Sequence, residues 1–245
     1  MPDGTRNNLL SLSLETSGRL GSIALSRGPR VVEAVTFSAD QRHAVELFPT
    51  LQAVCRRQGV PPASIEEIYV SAGPGSFTGL RIGLTTARTW AWAGGVRVVR
   101  VPTLEVVAQN ALEMPTPPDD LVVLLDAKRG HVFAAAFRLA SNHYEAVTEA
   151  AEWDVQALAA TVPAGCAALG EGIAYHRAAV DRAGLTVGPE ELNRPRAEVV
   201  HRIGYTRAGA GAGTGAFDDL TALVPIYVRR PEAEEVWERR HGPDG

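Results

Sequence analysis

Apolar and polar residues alternate with period two in Leu9–Glu15 (LLSLSLE), the first of three short β-type runs near the start of the chain, with Gly21–Arg27 (GSIALSR) and Val31–Ser38 after it. Ser-Gly and Gly-Pro turns separate the runs, which predicts an antiparallel meander of three strands. The spacing then becomes helical. Ala44, Leu47, Phe48, Leu51, Val54 and Cys55 mark one face of a helix expected over Asp40–Gln58. Pro49 inside it should kink it or mark a restart, and the Gly-Val-Pro-Pro run from Gly59 should end it. A buried strand at Ile68–Ala72, a helix over about Phe77–Ala93, a strand at Val96–Val101 and a helix over Thr103–Leu112 complete the half as β-β-β-α-β-α-β-α.

The second half repeats much of this order. Leu121–Asp126, His131–Leu139 and Tyr144–Thr148 read as strands. A helix at Trp153–Thr161, a strand at Cys166–Gly170 and helices at Ile173–Arg182 and Pro195–Arg207 follow. The Gly209–Gly215 run is nearly all glycine and alanine and reads as a surface loop. Val224–Val228 reads as a last strand, and Pro231–Arg240 as a charged terminal helix with Val236 and Trp237 as docking residues. Two successive β-β-β-α-β-α units imply an α/β protein of two related lobes with a cleft between them, each a mixed sheet flanked by helices. That is the ribonuclease-H-like layout of two-lobed actin-like ATPases. The expected division is 1–103, 104–230 and a terminal helix and tail at 231–245.

Composition narrows the partners. With 45% hydrophobic and 21% charged residues among 245, the chain can bury a core in each lobe. A formal net charge of -4 does not suit a protein that grips RNA by itself. Cys55 and Cys166 form no CxxC pair, so neither a disulfide framework nor a zinc knuckle is expected. No signal-peptide pattern and no apolar run of membrane-spanning length occurs, so a cytoplasmic location is expected.

Two segments could carry chemistry. Glu15, Thr16 and Ser17 (within LETS) lie where the first strand turns into the second. Hydroxyls and amides at such a turn can hold phosphate, or simply cap the backbone. The second is GPGSFTGLRIG at Gly73–Gly83. It lacks the lysine and spacing of a Walker A loop. Gly73 and Gly75 permit close backbone approach, and Ser76 is placed to cap the next helix, whose amides attract anions. Gly79, Gly83 and Ala87 form a smooth stripe at i, i+4 and i+8. The packing that offsets its helix cost is either internal or intermolecular.

Other machinery is missing. No two of the six histidines are four apart, so no HxxxH pair exists and no metal site is expected. Ser76 has no evident His and Asp partners for a nucleophilic triad.

The segment GPGSFTGLRIG resembles the signature of the TsaB family, paralogues of the catalytic subunit TsaD formerly called glycoprotease-like. LETS with GSIAL, RHAVELFP at Arg42–Pro49, PTLEVVAQ at Pro102–Gln109 and LLDAKRGHVFAA at Leu124–Ala135 are similar to further family blocks in the same order. So are ALGEGIAYH at Ala168–His176 and LVPIYVRRPEAE at Leu223–Glu234. The family's opening block is usually DTS. Here Glu15 replaces its aspartate, whose counterpart in superfamily ATPases holds the metal through water.

The resemblance implies the actin-like fold and a non-catalytic role. The chain would be a scaffold that pairs with and activates TsaD, with the small ATPase TsaE completing a ternary complex. TsaD transfers the threonylcarbamoyl group to the adenosine beside the anticodon of tRNAs reading codons that start with A. The chain would meet tRNA indirectly, bind no cofactor alone, meet ATP or ADP only in the assembled complex, and form a homodimer when alone. The expected partner surface is the helix pair, with His43, Leu47, Leu51, Phe77, Thr78, Gly79, Leu80, Arg81, Gly83 and Ala87. Arg42, Arg81 and Arg88 would line a partner or tRNA surface, or be ordinary solvated arginines. Glu15, Thr16, Ser17, Gly73, Gly75 and Ser76 would form a vestigial phosphate or nucleotide site. The alternatives are a small ATP-dependent kinase or hydrolase of the same superfamily, or a peptidase.

Overall fold

The computed structural model describes residues 3–37, 43–210 and 217–228. The first sheet contains β1 (Leu10–Glu15), β2 (Ser22–Arg27), β3 (Arg30–Thr36), β4 (Glu67–Gly73) and β5 (Arg97–Pro102), in the order β3-β2-β1-β4-β5. The three opening strands pair antiparallel, and β1, β4 and β5 pair parallel. The edge strand β3 alternates exposed and half-buried residues, whereas β1 and β4 are buried on both faces. That contrast explains why LSLSL alternates in type yet hides even its serines: helices cover both sides of the sheet's centre.

On one side lie α1 (His43–Arg57) and α2 (Phe77–Gly94), with Leu12, Leu14, Leu47, Leu51, Val54 and Leu84 among the core between them. Pro49 neither ends nor restarts α1, which runs through it as one helix. The other side is covered by α6 (Ala197–Ala210), where Tyr69, Val99 and Val101 meet Val199, Val200 and Ile203. Although α6 follows the second unit in sequence, it packs on the first sheet.

The second sheet repeats the first. Its strands β6 (Asp120–Lys128), β7 (His131–Ala140), β8 (His143–Ala146), β10 (Ala167–Leu169) and β11 (Thr186–Val187) follow the order β11-β10-β6-β7-β8, and β9 (Ala151–Trp153) also pairs with β7. This sheet again joins an antiparallel meander to parallel strands on the far side of its first strand. The expected duplicated, two-lobed actin-like architecture is therefore present. Helix α3 (Thr103–Asn110) packs on one face of this sheet, and α4 (Val155–Ala159) with α5 (Gly172–Arg182) covers the other.

Local differences have local causes. Helix α4 is shorter than expected because Trp153 closes β9, and the Asp154 side chain caps the helix by accepting from the amides of Gln156 and Ala157. Neither β9 nor β11 was expected; each has only two or three residues, too few to show a period. Val224–Val228 is not a strand. It lies irregularly across the first lobe, held by the Ile226 amide donating to the Ala72 carbonyl at 2.7 Å. Upstream, Arg100 Nε donates to Asp218 at 2.7 Å, which fixes the start of this return segment. The expected terminal helix at 231–240 and most of the glycine-alanine run lie outside the described residues. Among the described residues, no helix is long and apolar enough to cross a membrane.

Candidate functional site

The turn between β1 and β2 sits between the lobes. Glu15, which closes β1, folds its carboxylate into the turn that follows. Oε1 accepts from the Ser17 amide at 2.6 Å, from Ser17 Oγ at 2.6 Å and from the Gly18 amide at 3.3 Å. The carboxyl is fully buried. Burial pushes its pKa up, against the hydrogen bonds from Ser17, Ser71 and the turn amides. The Ser17 donors expected to serve phosphate are thus occupied by the chain's own carboxylate. Ser17 and Gly75 still border the cleft, and Thr16 is buried.

Helix α2 meets the same turn. Ser76 caps it as expected, accepting from the Gly79 amide at 3.2 Å, and donates its own amide to the Ser17 carbonyl at 2.8 Å. Gly73 turns the chain from β4 towards this helix with φ +110, a conformation that favours glycine.

Between the lobes is a cavity of about 630 Å³, bordered by Ser17, Ser76, Thr103, Lys128, Tyr175 and Tyr227 among others. Across it, the Arg19 amide donates to Glu171 at 3.1 Å, and Arg19 Nη1 donates to the Tyr175 hydroxyl at 3.0 Å. On the second lobe, Asp126 accepts from Lys128 Nζ at 2.6 Å and lies 3.4 Å from His176 Nε2. Burial pushes the Asp126 carboxyl up, but Lys128 and His176 together hold it below the usual carboxylate value. The Lys128 ammonium also sits over the Tyr175 ring, 5.2 Å from its centre. The cleft therefore mixes cations, hydroxyls and aromatic faces. Among the described residues, no group of three His, Cys, Asp or Glu side chains could hold a metal ion.

The residues expected at a partner surface divide sharply. Phe77, Thr78 and Arg81 are exposed. His43, Leu47, Leu51, Gly79, Leu80, Gly83 and Ala87 are buried in this chain's own interior and present no surface. The glycine stripe packs internally: a Cβ on Gly79 or Gly83 would run into Thr16. Arg88 is exposed, and Arg42 lies outside the described residues. What the helix pair does expose is a shallow apolar groove of about 690 Å³ lined by Ala44, Phe48, Phe77, Ile82 and Trp90, with Arg81 over the Phe77 ring. Phe48 is 58% and Phe77 45% exposed, large values for aromatic side chains.

Sequence reasoning missed Arg19, Glu171, Tyr175 and Tyr227. Each lies in a turn, at a helix start or in an irregular return segment, where no periodicity marks a side chain as facing a cleft. His43 was expected at a partner surface. Instead it is buried, and its Nε2 donates to the Gly18 carbonyl at 3.1 Å.

The family described as "TsaD: tRNA N6-adenosine threonylcarbamoyltransferase" matches residues 35–188 of the chain. The chain is 27% identical over 235 residues to the tRNA threonylcarbamoyladenosine biosynthesis protein TsaB of Bacillus subtilis, covering 92% of this chain and 96% of that one. It is 28% identical over 131 residues to the Escherichia coli protein of the same name, covering 54% and 56%. Among solved structures it is similar to YeaZ from Pseudomonas aeruginosa, with a TM-score of 0.74 at 23% identity, covering 89% of this chain and 99% of that one. That likeness supports the fold.

Proposed function

The chain belongs to the TsaD family of tRNA N6-adenosine threonylcarbamoyltransferases, on the branch of the TsaB proteins, and from that premise we propose that it is a non-catalytic subunit of threonylcarbamoyladenosine biosynthesis that binds and activates TsaD through the exposed groove of α1 and α2. The observation that carries this reading is the groove itself. Phe48 and Phe77 stand in water on two adjacent helices, beside Ile82 and Trp90, with an arginine at the edge. A helical partner laid in such a groove would remove this apolar area from water and seat aromatic anchors centrally.

The non-catalytic half of the reading is supported by Glu15. Its carboxylate closes on its own turn, so it is not free to position a metal-bound water, and the turn amides of Ser17 and Gly18 are engaged. Ternary assembly with TsaE, indirect contact with tRNA, self-association in the partner's absence and a cytoplasmic setting follow as parts of the same proposal. Nucleotide would enter only with the assembled complex.

The test is reconstitution. TsaD of the same organism is co-expressed with the chain, and threonylcarbamoyl transfer to tRNA is measured with and without it. The expected result is a stable complex and modification that depends on both proteins. Full-rate modification without the chain, or no complex between the two proteins, would refute the proposal.

A further inference from the structure

The turn Glu15–Arg19 touches the helix pair on one side and the second lobe on the other, and little in it can give. Towards the helices, the Gly18 carbonyl accepts from His43 Nε2 at 3.1 Å at the start of α1, and the Ser17 carbonyl accepts from the Ser76 amide at 2.8 Å at the start of α2. Thr16 fills the notch over Gly79 and Gly83, where a Cβ on Gly79 would meet its carbonyl oxygen and one on Gly83 its hydroxyl. Towards the second lobe, Arg19 donates to Glu171 and to the Tyr175 hydroxyl on α5, and a Cβ on Gly18 would stand 3.0 Å from both Glu171 Oε2 and Pro195 Cγ. Inside the turn, the buried Glu15 carboxylate ties the Ser17 and Gly18 amides together. A turn held from within moves as one body. Displacing the helix starts must then shift Arg19 against α5, or break named hydrogen bonds.

We propose that this turn is a rigid link between the exposed groove of α1 and α2 and the cleft between the lobes, with His43 as the positioning residue on the groove side and the Arg19–Tyr175 contact on the cleft side. A partner seated in the groove sets the width of the cleft through this link. By reciprocity, whatever closes the cleft changes the groove's affinity for its partner. The inference rests on the proposed function only for the partner's identity, and Phe77, which borders both groove and cleft, adds a second point of contact between them. The physical warrant is a continuous chain of hydrogen bonds and steric stops from the helix starts to α5, and it calls for direct measurement of coupling.

The experiment uses the isolated chain, so that failure of TsaD binding does not enter. Amide hydrogen exchange is followed in three forms: the natural chain, His43→Ala and His43→Gln, the last keeping a donor for the Gly18 carbonyl. Expected in His43→Ala is exchange about tenfold faster at α5 residues 172–176, with β7 amides of the same lobe unchanged. His43→Gln should restore much of the protection. In the opposite direction, Tyr175→Phe removes the hydroxyl that accepts from Arg19 Nη1 and is exposed enough to fold, since Tyr175 is 50% exposed. It should speed exchange in the N-terminal part of α2, residues 78–83. Unchanged α5 exchange in His43→Ala overturns the link, as does a rise spread equally over β7. A silent α2 in Tyr175→Phe overturns it even should His43→Ala fail to fold.

Discussion

A Cβ on Gly79 would fall within 3.0 Å of the Thr16 carbonyl oxygen, closer than side-chain carbons approach a backbone oxygen. The obstacle is backbone inside a paired turn and has no rotamer by which to yield. Gly79→Ala should therefore destabilise the chain by about 1–3 kcal/mol, the usual cost of overpacking a fitted interior. Gly83→Leu should cost more, since it drives a whole side chain against Thr16 and Val70. Chemical denaturation of both variants against the natural chain checks this. An unchanged midpoint for Gly79→Ala would show that the turn and α2 are not in contact.

These glycines therefore cannot probe partner binding, because their loss would weaken any partner indirectly. Phe48 can. It is exposed, lines the groove and makes no part of the buried core. Phe48→Asp should change stability by no more than about 0.5 kcal/mol. Affinity for TsaD should fall at least about tenfold, the cost of about 1.4 kcal/mol when a central aromatic anchor is lost. Calorimetric titration together with a melting curve separates the two effects.

Acid should loosen the fold through its buried histidines. His201 lies on the buried face of α6, beside Tyr69 and Tyr205, with Nδ1 3.4 Å from Ser11 Oγ. Burial lowers its pKa from 6.5 to about 4. A depressed folded pKa means that the unfolded chain binds the proton first. His201's contribution is therefore complete above pH 6.5 and is lost as pH falls towards 4, at up to about 1.4 kcal/mol per pH unit. His43, lowered by burial against the Gly18 carbonyl, acts with the same sign. Glu15 acts in the opposite sense: its raised pKa favours the folded state in acid, and that contribution fades as pH rises. Urea denaturation of the natural chain and His201→Gln across pH 4–7 isolates the His201 slope. Parallel curves for the two would contradict its burial as a neutral ring.

The opening meander, the parallel strands after it and the repetition of the whole unit were legible in the chain because each rests on periods of two or of 3.6 within ten or twenty residues. Ser76 was legible as a helix cap for a similar reason: a cap acts on an amide three residues away, here that of Gly79. The resemblance carried by GPGSFTGLRIG agrees with the family match. Where a signal needed more than its own neighbourhood, it failed. Residues 224–228 have the composition of a strand, but their main hydrogen bond is made to Ala72, far away in sequence, and no ladder forms.

What the sequence determined by itself is the order of elements, the duplication and the apolar character of α1 and α2, since these depend on contacts within each element. What only the tertiary structure decided is which side of those helices is spoken for. The stripe of Gly79, Gly83 and Ala87, together with Leu47 and Leu51, turns inward on Thr16 and the first sheet, leaving Phe48 and Phe77 outside. A helix whose faces can both be apolar does not record which one its own chain will cover, because the covering residues arrive from the β1–β2 turn, some sixty residues earlier for Gly79. The same holds for the cleft. Arg19, Glu171 and Tyr175 meet only because the fold brings the β1–β2 turn of the first lobe against the start of α5 in the second.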